Sequence, residues 1–214
     1  VAKQDLNVEN VAAVTKGFSN LQKAIENMRY FNVPVMVAIN KFATDTDAEI
    51  AELTRLCDDY GVPVELNECW EKGGDGGIDM AKRVVELVST SNPTPKFVYD
   101  VTDSIEEKVG KIVRTIYGGN GVIFTDKAKK QIKQLQDWGL ADLPVCMAKT
   151  QYSLSDNPSL LGAPTGFDIT VSDIRVANGA GFLVCRTGDV MVMPGLPKRP
   201  AALNMDIKAD GTIT

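Results

Sequence analysis

The fold class this sequence predicts is α/β: an open, mostly parallel sheet flanked by helices in a Rossmann-like arrangement, followed by a small β-rich C-terminal domain. Three observations predict it. Over the first two-thirds of the 214 residues, short apolar runs of strand length alternate with amphipathic helical stretches. The helical stretches open on capping residues, and the apolar runs end on polar turns. Near residue 150 the pattern changes, and beyond a Ser/Pro/Gly-rich stretch it alternates with period two.

Residues 7–30 read as the first helix, with Asn7 as its cap and Phe18, Leu21, Ile25 and Met28 on one face. Val33–Asn40 is a continuous apolar run, as a parallel strand covered on both faces requires. Thr46-Asp-Ala-Glu49 is a capping box, in which hydroxyl and carboxylate satisfy free amides of the first turn. The helix it opens turns Ile50, Leu53, Leu56 and Cys57 inward and stops near Gly61. Val62–Leu66 is the next strand, and beyond a glycine-rich loop Ile78–Val88 is a helix with Ile78, Ala81, Val84, Val85 and Val88 on its apolar side. Pro93 and Pro95 close that unit. Phe97–Asp100 is expected as a third strand, and Asp103-Ser-Ile-Glu106 as the cap of a helix carrying Ile105, Val109, Ile112 and Ile116. Gly118–Gly121 reads as a turn and Val122–Phe124 as a very short strand. Thr125 caps a helix through Ile132, Leu135 and Trp138 that stops at Gly139. Pro144–Lys149 is the last strand of the alternating part.

"TQYSLSDNPSLLGAPTGF" is a long ordered loop or a domain junction. Beyond it, alternation broken by Asn178-Gly179 and Thr187-Gly188-Asp189 predicts a small β-meander, and "PGLPKRPAALNMDI" an extended tail.

Composition narrows the function. Lys and Arg number 23, Asp and Glu 28, giving a net charge of −5 with the signs mixed along the chain, which argues against a nucleic-acid or acidic-membrane partner. No apolar run is long enough to span a bilayer and no signal-peptide pattern is visible, so a cytoplasmic protein is expected. Cys57, Cys69, Cys146 and Cys185 are widely spaced and read as free thiols. With no histidine at all, Ser-His-Asp and Cys-His catalysis and His-based metal sites are excluded. Acid–base work falls to Asp, Glu, Lys, Tyr or the substrate itself.

Ligands of open α/β sheets collect beyond the carboxyl ends of the strands. Two loops there stand out: Asn40-Lys41-Phe42 and "LNECWEKGGDGG", residues 66–77. If their strands are neighbours, Phe42 and Trp70 project from adjacent loops and can sandwich a flat heterocycle; alternatively, each ring packs over a helix end. The glycine run 73–77 before a helix could seat an anion, although Asp75 would repel one, or could simply present Trp70. Asn40-Lys41 invites comparison with the Asn-Lys-x-Asp guanine-reading loop, but Ala43 stands where the aspartate would be. No Walker A motif occurs in the 214 residues. "LLGAPTGF" is a turn that could present Thr165 to a ligand or act as a hinge.

Long stretches carry a family resemblance: "VAKQDLNVENVAAVTKGFSNLQKAIENMRYFNVPVMVAINKFATDTDAE", "ECWEKGGDGG", "AKTQYSLSDNPSLLGAPTGFDITV" and "GAGFLVCRTGDVMVMPGLPKRPAA". Essentially the whole chain resembles formate–tetrahydrofolate ligase. The resemblance implies that ATP phosphorylates formate to formyl phosphate, and that N10 of tetrahydrofolate attacks the activated carbonyl to give 10-formyltetrahydrofolate. An anhydride already activated leaves positioning and charge stabilisation as the protein's task, which suits a chain without histidine. Mg2+ with ATP and a monovalent cation are implied as cofactors, and formate, ATP and tetrahydrofolate as ligands, in a homo-oligomer, a tetramer in the full-length enzyme. Phe42 and Trp70 then resemble the pair that holds the pterin ring, Leu66 lines the same pocket, and Pro164 and Thr165 lie near the nucleotide base. No catalytic or metal-ligating residue is carried over to this segment. Residues 1–24 become a helix leading out of a missing N-terminal domain that would hold the phosphate loop, 25–159 the α/β domain and 160–214 the β-rich domain. The chain is then a C-terminal fragment, inactive alone. A non-catalytic folate- or nucleotide-binding module, and a subunit that only assembles, are the other classes considered.

Overall fold

The computed structural model describes residues 1–188, 190 and 198–212. In chain order its helices are α1 (Val11–Tyr30), α2 (Asp47–Asp59), α3 (Cys69–Lys72), α4 (Ile78–Thr90), α5 (Ile105–Ile112) and α6 (Asp126–Asp137). Its strands are β1 (Val37–Asn40), β2 (Val64–Asn67), β3 (Gly121–Phe124), β4 (Val145–Ala148), β5 (Asp168–Ala177) and β6 (Phe182–Thr187). The class is mixed α/β, with helices flanking a parallel sheet and a mixed one.

Local chemistry places the helix starts. Thr46 and Glu49 form the expected capping box of α2, and Ser104 with Glu107 forms a second one on α5, one residue later than the expected Asp103–Glu106 pair. The α1 cap is Asn10, whose side chain accepts from the Ala13 amide, so the helix begins later than Asn7 would place it. Asn10 also donates its backbone N–H to Glu49, which ties the start of α1 to the start of α2.

The strands fall into two sheets among the described residues. β1 and β2 pair in parallel, Val37 opposite Val64 through Asn40 opposite Asn67. The second sheet has the order β3-β5-β6-β4, with β3 parallel to β5, β4 parallel to β6, and β5 antiparallel to β6. β3 and β4 therefore run in opposite directions, where one mostly parallel sheet was expected. The period-two segment beyond residue 160 does not make a sheet of its own: its hairpin lies in the middle of this sheet, between β3 and β4. The physical reason is burial. Ile169, Val171, Leu183 and Cys185 are fully buried and need cover, which Ile105, Val109 and Val113 of the α5 segment and Ala128, Ile132 and Leu135 of α6 supply. The smaller core, Ile25, Val37, Cys57 and Val62, sits under α1 and α2 against the first sheet.

Two further expectations are corrected. Phe97–Asp100 is not a strand. Its Tyr99 hydroxyl accepts the Val145 backbone N–H at 2.9 Å, so a side chain meets β4 where a strand's backbone was expected. Phe97 itself is 83% exposed. On α4 the predicted apolar side, including Ile78, Val84, Val85 and Val88, faces outward, and Met80, Arg83 and Leu87 are the half-buried positions. The stripe turned toward β2 carries Arg83 between Met80 and Leu87, so packing against the sheet, not hydrophobicity alone, selects the half-buried face.

The loop 150–167 is ordered by its own side chains. The Lys149 ammonium donates to the carbonyls of Thr150 and Ser153, Ser155 is fully buried, and Asp156 accepts the Thr170 amide. Asp189 of the predicted turn, residues 191–193 of the predicted meander and residues 194–197 of the predicted tail lie outside the described residues. All four cysteines are free, Cys57 and Cys185 buried, Cys69 and Cys146 exposed. No helix among the described residues is long and apolar enough to cross a membrane.

A β-bulge between Val171 and Asp173 shifts the phase of β5, so that Asp173 and Ile174 are both buried. Gln131 of α6 spans the bulge, accepting the Ile174 N–H and donating to Asp173. Lys127, Arg175 and Arg186 also meet the Asp173 carboxylate, at 2.7, 2.8 and 3.5 Å. The Lys127 hydrogen bond, ahead of Gln131 and Arg175, holds its pKa far below the usual carboxylate range. A depressed folded pKa means that this stabilisation is fully present above the unfolded value near 4 and fades as pH falls toward the folded one. Asp173→Asn is expected to lose about 2 kcal/mol at neutral pH. Denaturant titrations from pH 7 down to pH 2 check this: the gap between parent and variant should narrow steadily below pH 4.

Candidate functional site

In-register pairing of β1 with β2 brings Asn40 and Asn67 opposite each other at the carboxyl ends of the two strands. The chain leaves each strand there into one of the two loops singled out above. Both loops are built by short-range hydrogen bonds. The Phe42 N–H donates to the Asp45 carboxylate at 2.8 Å, and the Asp45 N–H returns to the Phe42 carbonyl at 3.0 Å. This closes a tight turn in which both backbone groups of Phe42 are bonded while its ring is 58% exposed. In the second loop, α3 is a single turn carrying Trp70, 76% exposed. The Asn67 side-chain oxygen accepts the Cys69 N–H at the start of that turn.

The glycine run after α3 folds back on it. Gly73–Gly77 is a tight 3-10 turn, and the Gly76 carbonyl accepts the Glu68 N–H at 3.0 Å. A Cβ on Gly76 would stand 2.5 Å from the Glu68 carbonyl carbon and oxygen. Of the two readings of this run, the structure supports the one in which it shapes the loop that presents Trp70.

The two loops are tied to each other by polar groups that sequence reasoning passed over. The Asn67 amide donates to the Asn40 side-chain oxygen at 2.8 Å, and the Lys41 N–H donates to the Asn67 carbonyl at 3.0 Å. The Lys41 ammonium reaches Glu68 Oε1 at 3.3 Å, and the Lys72 ammonium reaches Oε2 at 2.7 Å. One carboxylate thus bridges two lysines, and the Lys72 bond, then the Lys41 bond, lowers its pKa. The available signal was positional: an Asn ends each apolar run, and parallel neighbours in register place such residues side by side.

Leu66 precedes this strand end, half-buried and paired with Ile39. Phe42, Trp70 and Leu66 therefore belong to one end of one two-stranded sheet. Pro164 and Thr165 do not join them by any direct bond. Their turn lies beyond the carboxyl end of β4, with the Pro164 carbonyl near Gly118 and Gly162 against the Ser19 hydroxyl of α1. A cleft of about 390 Å3 runs from α1 and α2 along β1 to Asn40 and Asp45, under the Phe42 turn. A more apolar cavity of about 640 Å3 lies between Phe97–Val101, the α5 segment and β4, and neither Phe42 nor Trp70 lines it. It marks the edge of β4 that the unpaired 97–100 segment leaves open.

The model of one protein family, described as formate–tetrahydrofolate ligase, matches residues 1–214, the whole of this chain.

Because backbone atoms surround the Gly76 position, a side chain there cannot be absorbed by a rotamer change. Gly76→Ala is expected to destabilise the protein by about 1–3 kcal/mol. It should also displace the α3 turn, read as a shift in the Trp70 emission of a Trp138→Phe background alongside a lower thermal midpoint.

Proposed function

We propose that this chain, which belongs to the formate–tetrahydrofolate ligase family, contributes the folate clamp of an ATP-dependent ligation. In this reading Phe42 and Trp70 take the pterin ring between them and Leu66 lines the same pocket. A formate oxygen attacks the γ-phosphorus of ATP, ADP leaves, and formyl phosphate results. N10 of tetrahydrofolate then attacks the formyl carbon, phosphate leaves, N10 gives up its proton, and 10-formyltetrahydrofolate is formed. The observation that carries the proposal is the exposure of two large aromatic rings on adjacent loops at the carboxyl ends of paired parallel strands. Exposed rings on adjacent loops offer stacking surface to a flat heterocycle.

Pro164 and Thr165 are proposed to flank the nucleotide base. Mg2+ and a monovalent cation belong with ATP in this reading. Among the described residues no group of three or more His, Cys, Asp or Glu side chains is placed to hold a metal ion. Phosphate chemistry is assigned to a part of the enzyme outside these 214 residues, with this chain as its C-terminal part and inactive alone. Assembly as a homotetramer and a cytoplasmic location complete the proposal, whereas the expected divisions at residues 24 and 159 cut through α1 and through the second sheet.

Stacking on one aromatic face is worth about 0.5–1.5 kcal/mol beyond area burial. Trp70→Ala and Phe42→Ala should therefore each weaken tetrahydrofolate binding about tenfold while leaving ATP binding unchanged. Parallel calorimetric titrations of the complete enzyme with the two ligands test this. Unaltered tetrahydrofolate affinity in both variants would overturn the clamp.

A further inference from the structure

We propose that Lys41, Glu68 and Lys72 are positioning residues that set the gap between Phe42 and Trp70. The inference rests on the folate reading above and adds to it what holds the clamp open at the right width. A flat ring seated between two aromatic faces needs about 7 Å between them, twice a carbon–carbon contact distance. The two rings stand on separate loops, so this gap depends on how the loops are held relative to each other.

Lys41 is the neighbour of Phe42 in sequence, and Glu68 lies two residues before Trp70. Their ion pair at 3.3 Å links the two loops directly, one residue from Phe42 and two from Trp70 in sequence. Lys72, at 2.7 Å from the other carboxylate oxygen, belongs to the same helical turn as Trp70 and fixes the Glu68 side chain from that side. Below them the Asn40–Asn67 amide pair joins the loops at their base. Any sliding of one loop past the other stretches the Lys41–Glu68 contact, and both partners are partly shielded from water, with side-chain exposures of 28% and 19%. The three charged groups thereby act on the ligand through the aromatic pair, and small errors in such positioning carry a large cost in binding.

The test is anaerobic calorimetric titration of the full-length protein with tetrahydrofolate, well below its unfolding temperature, with thermal midpoints measured alongside. Lys41→Met and Glu68→Gln each remove the link and should weaken binding roughly three- to tenfold. Lys41→Arg keeps the link and should stay within about twofold of the parent. The double variant Lys41→Met/Glu68→Gln should bind no more weakly than the weaker single variant, because both lose the same contact. A merely structural role would lower the thermal midpoint and leave the affinity of the folded protein alone. Parent-like affinity in Lys41→Met and Glu68→Gln overturns the inference while the folate reading stands, and so does an Arg variant as weak as the Met variant. A parent that binds no tetrahydrofolate overturns the folate reading and this inference with it.

Discussion

The candidate site depends on a ladder of four residue pairs, Val37–Asn40 against Val64–Asn67. Parallel, in-register pairing makes both strands end at the same level, and only for that reason do the loops carrying Phe42 and Trp70 leave side by side. A slip of one residue would carry Val37 and Ile39 off the buried face. Two parallel strands are too little structure to persist alone, so the ladder draws its stability from the helices laid over it. Ile25 of α1 and Cys57 of α2 pack with Val37 and Val62, and the Asn10–Glu49 bond joins the two helices at the same end as the loops. Each fully buried aliphatic side chain contributes about 1.5–3 kcal/mol. The small core is thus enough to fix the ladder.

The second sheet obeys a different constraint. Its two central strands are the hairpin β5–β6, whose buried positions alternate until the bulge at Asp173. Low-dielectric surroundings would penalise a carboxylate there heavily if it stood alone. Three cations and Gln131 surround it instead, and they pin α6 to the sheet at the point where regular pairing breaks. Lys108 plays the matching part under α5. It is fully buried, and its ammonium donates to the carbonyls of Ala141 and Leu143, which closes the connection from α6 to β4. Burial pushes its pKa down.

Much of this was legible in the sequence because it is written in local chemistry. Thr46 with Glu49 announces a helix start, Gly139 in a left-handed conformation ends one, and Asn178-Gly179 marks the hairpin loop, although the left-handed residue that closes it is Gly181. Phe42 and Trp70 stand out for the same reason, as large rings in polar loops. Long-range pairing was not legible. The run Phe97-Val98-Tyr99-Asp100 has a strand's composition, but whether it pairs depends on which edge it reaches, and there a tyrosine hydroxyl meets the Val145 backbone first. Likewise, nothing local distinguishes a β3 that runs parallel to β4 from one that runs against it; the inserted hairpin decides that. The stripe that α4 half-buries carries Arg83 between Met80 and Leu87, so hydrophobicity does not announce it and the packing beside β2 selects it.

The polar character of the brace between the loops has a physical logic. Two exposed aromatic rings on neighbouring loops would bury each other's faces if apolar contact were what joined the loops, since ring-on-ring packing is the favourable arrangement available to them. Asn40, Asn67, Lys41 and Glu68 join the loops without using the rings at all. The backbone of the Phe42 turn is satisfied by Asp45, and that of the Trp70 turn by Asn67 and Gly76, so neither ring is needed to shield unpaired amides. Holding the loops by hydrogen bonds and charge leaves the faces of Phe42 and Trp70 in water, 58% and 76% exposed.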